Sequence, residues 1–254
     1  MKLHIFPSPQ QLSQAAAAHV AQLSSEAIAA RGRFIVALSG GSLPKLLCPA
    51  LVGQAIDWSA WHVFWADERC VPLTHPDSNY ILAQQYLFDH VSIPPAQIRA
   101  PDTSIDPAQT AAAYQNTLAQ MFAAQPPIPL PDDPLLFQPS NLPPLPQFDL
   151  ILLGLGEDGH TASLFPAHPL LKETERWVAP IFDSPKPPPQ RITLTLPVLN
   201  NARQVAFVTA GASKADILPQ VFEAGSALPA HLVQPASGKL DWFVDEAAAA
   251  QLKR

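Results

Sequence analysis

Runs of five or six mostly apolar residues punctuate this chain at 34–38, 61–66, 149–153, 191–196, 205–209 and 240–244. They are too short for helices, and 149–153 (DLILL) reads as a strand buried on both faces. Between them lie longer stretches of helical character: the alanine-rich 11–30, then 44–53, 79–91, 107–124, 214–224 and 245–253. Pro44 would sit in the first turn of its helix, where a missing N–H does no harm. Strands alternating with helices predict an α/β sheet with helices on its faces.

The thirty prolines are unevenly placed. The stretch 125–147, QPPIPLPDDPLLFQPSNLPPLPQ, cannot be helix interior or central strand, and it exceeds ordinary loop length. The element pattern is similar on its two sides, and neither half closes a plausible sheet alone. One domain over 1–254 is therefore expected, with a Pro-rich surface loop at 125–147. A second stiff connector, SPKPPPQ, occupies 184–190.

Composition narrows the function. Apolar residues make up 48% of the 254, enough for a sizeable core. Charged residues are only 14%, against about 25% in an average soluble domain, so the places where charges gather carry information. A net charge of -6, a pI near 5.7 and the absence of any Lys/Arg stripe exclude a nucleic-acid surface. An anion would have to be held by a local basic cluster or by backbone amides. Cys48 and Cys70 have no metal-ligand spacing and suggest a reducing compartment. The N-terminus resembles neither a signal nor a transit peptide, and no segment approaches the ~18 apolar residues of a membrane span. A cytoplasmic protein without membrane or nucleic-acid partners is expected, as a monomer or weak dimer.

In a doubly wound sheet, ligands bind beyond the carboxyl ends of the strands. After 34–38 comes Ser39-Gly40-Gly41-Ser42-Leu43-Pro44, with two glycines, two hydroxyls and a helix start. That combination cradles phosphate, and without the G-K-S/T ending of a nucleotide loop it suits a sugar phosphate better than ATP. The plain alternative is a tight turn with Ser42 as N-cap. After 61–66 comes Asp67-Glu68-Arg69, then Ser78-Asn79 before the next helix. Either Arg69 offers its fork to an anion, or Asp67 and Arg69 form an internal ion pair.

After 149–153 comes Gly154-Leu155-Gly156-Glu157-Asp158-Gly159-His160, with a helix expected from about Thr161. A helix start would disfavour imidazolium at His160 and keep it a neutral base, while Asp158 pushes the other way. A glycine turn with a surface histidine is the plain alternative. After 205–209, Lys214 would occupy a first helical turn, against the dipole, which is easier to understand if an anion lies between. Arg191 opens a strand, so it reaches the same edge only if that segment runs antiparallel or bends. The other seven histidines show no metal spacing and read as structural or exposed, and the five tryptophans as packing residues.

With these residues assembled, the chain resembles the 6-phosphogluconolactonase family, within the larger group that includes glucosamine-6-phosphate deaminases. The resemblance runs from about Ile5 to Leu252. It rests on SGGS at 39–42, DER at 67–69 with Ser78-Asn79, GLGEDGHTASLFP at 154–166, RITLTLPVLNNA at 191–202 and G-x-x-K at 211–214. Deaminases have Tyr where Arg69 stands and an Asn-Glu-Pro run after the histidine, which 161–166 lacks. Leu43 departs from the common SGGSTP form.

The resemblance implies a Rossmann-like α/β fold with a mostly parallel sheet and helices on both faces. It implies hydrolysis of 6-phospho-D-glucono-1,5-lactone in the oxidative pentose phosphate pathway, without metal or organic cofactor. Carried over by position, His160 is the catalytic histidine with Asp158 beside it. Ser39, Gly40, Gly41, Ser42, Arg69, Arg191 and Lys214 contact the substrate, particularly its phosphate. Asp67 matches the base of the deaminases and counts here among the substrate-binding residues. A lactone needs an attacking water and a base, and His160 is the only motif residue with a suitable unperturbed pKa. No G-x-S-x-G elbow favours a serine nucleophile. The competing readings are an amino-sugar-phosphate deaminase/isomerase, with Asp67 as base, and a non-catalytic sugar-phosphate sensor.

Overall fold

The computed structural model describes residues 1–122 and 144–252, so most of the expected Pro-rich surface loop lies outside the described residues. The chain begins with β1 (Lys2–Phe6), α1 (Pro9–Arg31), β2 (Phe34–Leu38) and α2 (Leu43–Val52). It continues through β3 (Trp61–Trp65), β4 (Asp67–Arg69), α3 (Asn79–Tyr86) and α4 (Pro107–Phe122). Then come β5 (Leu150–Leu153), β6 (Val178–Ile181), β7 (Arg191–Leu194) and α5 (Leu196–Asn201). The last elements are β8 (Val205–Thr209), α6 (Ile217–Phe222), α7 (Pro229–Leu232) and β9 (Leu240–Asp245).

Six strands form one parallel sheet in the order β1-β9-β8-β5-β2-β3. Alternation across the pleat divides its side chains between two cores. Phe34, Val36 and Leu38 of β2 join Leu12, Val20 and Leu47 of α1 and α2 on one face. Ile35 and Ala37 join Leu118, Val198 and Leu218 of α4, α5 and α6 on the other. The expected α/β fold with helices on both faces is what forms. Among the described residues no helix is long and apolar enough to cross a membrane.

From β2 the chain moves to β3 on one side and later returns to β5 on the other. Connections leaving β2 and β5 therefore diverge and open a crevice at the strands' carboxyl ends. Beside it lies a second, antiparallel sheet in the order β4-β7-β6, which the sequence did not reveal. Ala66 joins the two sheets: its N–H donates to Leu38 O (2.8 Å), and its carbonyl accepts from Leu194 N (2.7 Å). Asp67–Arg69 is thus itself a strand, and the expected strand at 191–196 belongs to the small sheet and ends at Leu194. Running antiparallel to β4, it brings Arg191 to the crevice.

Several expected elements differ. The helix at 79–91 ends at Tyr86 and gives way to a 3-10 turn, Phe88–His90. The stretch 214–224 splits into a 3-10 turn, Ala212–Lys214, and the short α6. Residues 246–252 form turns instead of a helix, and Asp245 Oδ1 accepts from Ala248 N (2.9 Å) and Gly211 N (2.9 Å). Polar alternation hid the edge strand β1, and a proline hid β6.

Asp149, just before β5, closes the opposite end of the sheet. Its carboxylate accepts from Ile35 N (2.9 Å) and pairs with Arg31 (2.8 Å) and Arg203 (3.4 Å). Charged hydrogen bonds contribute ~1.5–3 kcal/mol each, less where the partner is partly solvated. Asp149→Ala is expected to lower stability by about 2–3 kcal/mol in urea denaturation with an unchanged m-value; a loss under about 0.5 kcal/mol would contradict this.

Candidate active site

The crevice is a cleft of about 330 Å³. Ser39, Gly40, Gly41, Ser42, Asp67 and Arg69 line it from β2 and β4. His160, Arg191 and Lys214 reach it from three later segments of the chain. Of the expected set only Asp158 is not among the lining residues, and it touches the histidine.

The turn after β2 turns on its glycines. Gly41 adopts φ +65, a region that penalises a side chain. A Cβ on Gly40 would lie 1.6 Å from Asn79 Oδ1, so only glycine lets this turn approach α3. Ser42 makes no capping hydrogen bond, contrary to the plain alternative, and its hydroxyl is left to the cleft. Asn79 Nδ2 in turn donates to Asp67 O (2.8 Å).

Glu68 anchors this corner. It is fully buried and accepts from Arg69 N, Asn79 N, Tyr80 N and Ser78 Oγ (2.7–3.0 Å). Burial pushes its carboxyl up to about 7 against those four donors. Asp67, 5% exposed, receives Ser39 Oγ at 3.3 Å and Ser163 Oγ at 2.7 Å. Ser163 Oγ accepts from Arg191 Nη1 (3.3 Å), so Asp67 reaches Arg191 through a serine. The alternative Asp67–Arg69 ion pair does not form; Arg69 Nη1 donates to Asp77 O (2.6 Å).

Arg69 and Arg191 face each other directly across the β4–β7 ladder, and both line the cleft. Like charges so placed are destabilising unless an anion lies between them. Lys186 and Lys214 add two further cations, and Glu157 lies 4.0 Å from Lys214. Burial lowers the pKa of Lys214, partly offset by Glu157; burial likewise lowers Arg191.

The expected helix from Thr161 is absent. Thr161 and Leu164 pair across a tight turn, Thr161 Oγ1 donates to Gly154 O (2.9 Å), and Ser163 N donates to Thr193 Oγ1 (3.2 Å). These bonds draw the backbone away from helical pairing, and Ala162 takes φ 46. No helix dipole therefore acts on His160. Burial instead lowers its pKa below 6.5, outweighing the pull of Asp158; Lys186 lowers it further and Asp67 raises it. Its Nδ1 hydrogen-bonds Asp158 Oδ1. Burial alone would raise the Asp158 carboxyl, but His160 and Lys186 leave it below the usual range. A Cβ on Gly156 would meet His160 Nδ1 at 2.0 Å, so glycine is needed beneath the ring.

Sequence reasoning missed Lys186 and Glu157 as cleft residues and the linking role of Ser163. Lys186 is the one ionisable residue of SPKPPPQ, a signal that composition alone offered. His4 and His19, expected to be structural or exposed, both approach Asp241, at 2.8 and 3.8 Å.

The family model described as glucosamine-6-phosphate isomerases/6-phosphogluconolactonase matches residues 7–242. The 6-phosphogluconolactonase of Rattus norvegicus is 44% identical over 254 residues, covering 97% of this chain and 92% of its own. A probable 6-phosphogluconolactonase of Schizosaccharomyces pombe is 43% identical over 264 residues, covering 100% and 97%. A solved 6-phosphogluconolactonase from Trypanosoma brucei superposes with a TM-score of 0.81 at 28% identity, covering 99% of this chain and 98% of its own. With its motifs gathered in one cleft and relatives matching from end to end, the chain belongs to the glucosamine-6-phosphate isomerase/6-phosphogluconolactonase family.

Proposed function

We propose that the protein hydrolyses 6-phospho-D-glucono-1,5-lactone to 6-phosphogluconate, the lactonase step of the oxidative pentose phosphate pathway. The observation that carries this reading is a histidine backed by Asp158 in the same cleft as two facing arginines. Such a site suits a neutral acyl centre attached to a phosphate. The lactonase names of full-length relatives support the substrate. Two cysteines without a disulfide fit a cytoplasmic enzyme.

Asp158 accepts the Nδ1 proton of His160 and so fixes the tautomer with a lone pair on Nε2. That nitrogen takes a proton from water as the water oxygen attacks C1 of the lactone. The tetrahedral adduct collapses with cleavage of the C1–ring-oxygen bond, and His160 returns the proton to the departing ring oxygen. Arg69, Arg191, Lys214 and the amides of the 40–42 turn hold the phosphate and orient the ring. No serine hydroxyl among the described residues hydrogen-bonds His160, which favours direct attack by water. The deaminase reading needs Asp67 free to take a carbon-bound proton, whereas two serine hydroxyls occupy its carboxylate.

Four outcomes test this. Lactone hydrolysis, followed at a pH low enough to suppress spontaneous opening, should be fast, and glucosamine 6-phosphate should release no ammonia. His160→Asn should lower turnover ~10²–10⁴-fold without unfolding the protein. A folded variant keeping more than about a tenth of the rate would rule out His160 as base. A base must be unprotonated, and burial lowers this one below 6.5. The acid limb of the kcat/KM profile should therefore lie below pH 6.5. Lys214→Ala should reduce the preference for the phosphorylated lactone over plain gluconolactone about 10–100-fold, the worth of one charged hydrogen bond; an unchanged ratio would make Lys214 a structural partner of Glu157.

A further inference from the structure

The connector 184–190 is built around its carbonyls. Three consecutive prolines offer no N–H, yet each carbonyl from Lys186 to Gln190 accepts a hydrogen bond from the protein. Arg191 Nη2 donates to Lys186 O (2.8 Å) and Pro187 O (3.0 Å), and Arg191 Nε to Pro188 O (2.9 Å). Ser184 Oγ also donates to Lys186 O (2.8 Å), Ser184 N to Pro189 O (3.1 Å), and Cys70 N to Gln190 O (2.9 Å). Arg191 thus spends most of its donors on this connector while still lining the cleft. The side chain delivered is Lys186, whose Nζ lies 3.5 Å from Asp158 Oδ1, the oxygen that binds His160 Nδ1.

We propose that Lys186 is a positioning residue of the Asp158–His160 pair: its ammonium holds the Asp158 carboxylate and opposes a second positive charge on the imidazole. The other charged groups around the ring are few. Asp158 on the same turn and Asp67 on β4 favour imidazolium, while Lys214 and Glu157 face each other nearby. Lys186 is the cation that counters the two carboxylates, so His160 stays a base at lower pH than the carboxylates alone would allow. The role rests on the lactonase reading only for its use in catalysis; the electrostatic coupling stands without it.

The test is the NMR titration of the His160 ring in the substrate-free protein, comparing wild type with Lys186→Met and Lys186→Arg. Removing a cation a few ångströms from the pair should raise the His160 midpoint by about half a pH unit. Lys186→Arg, which keeps the charge, should leave it near wild type. Where the wild type hydrolyses the lactone, the acid limb of kcat/KM should move upward in Lys186→Met and stay near wild type in Lys186→Arg. An unmoved or lowered midpoint in a folded Lys186→Met protein would overturn the proposal. Because the titration needs no substrate, failure of lactone hydrolysis in the wild type would count against the proposed function alone.

Discussion

A charge taken out of water must find partners, and the Asp67 carboxylate shows how far that rule organises this molecule. It lies at the point where the chain leaves the parallel sheet, almost without solvent contact. Two hydroxyls satisfy it, one from the turn after β2 and one from the turn after β5. Through Ser163 it also reaches Arg191 on β7. Four separate segments are thereby held to one another by a single carboxylate, and all four border the cleft. Removing a partner would strand a buried charge, which is far more costly than never burying it.

The same rule explains why so few charges serve so many ends. Glu68 takes four donors and fixes the start of α3, which places Asn79 against Gly40 and shapes the amide-lined turn. Arg191 spends its donors on the carbonyls of a proline-rich connector. In each case one side chain fixes the backbone that carries another residue to the cleft: Glu68 fixes the start of α3, and Arg191 fixes the connector that carries Lys186. The cations facing the cleft repel one another, so an anion between them is electrostatically favoured.

Two glycines set the limits of this construction. Gly40 and Gly156 each occupy a place where a single added carbon would overlap a side chain, Asn79 in one case and His160 in the other. Close approach of backbone to polar side chain is what brings the turn after β2 and the imidazole into one cleft.

The sequence by itself determined the α/β class, the six strands at 34–38, 61–66, 149–153, 191–196, 205–209 and 240–244, and nine of the ten expected site residues as lining the cleft. These were legible because buried strands are short apolar runs, and because charges and glycines at strand ends stand out in a charge-poor chain. Only the tertiary structure decided that 67–69 and 191–194 pair in a second sheet, since antiparallel pairing depends on contacts more than a hundred residues apart. It also replaced the expected helix after His160 with a bridged turn, because Thr161 and Ser163 make bonds with distant partners that local propensity does not encode. Lys186 belonged to the cleft for the same reason. Being the one ionisable residue of its connector hints at a role, but its place beside Asp158 depends on Arg191 holding the connector carbonyls.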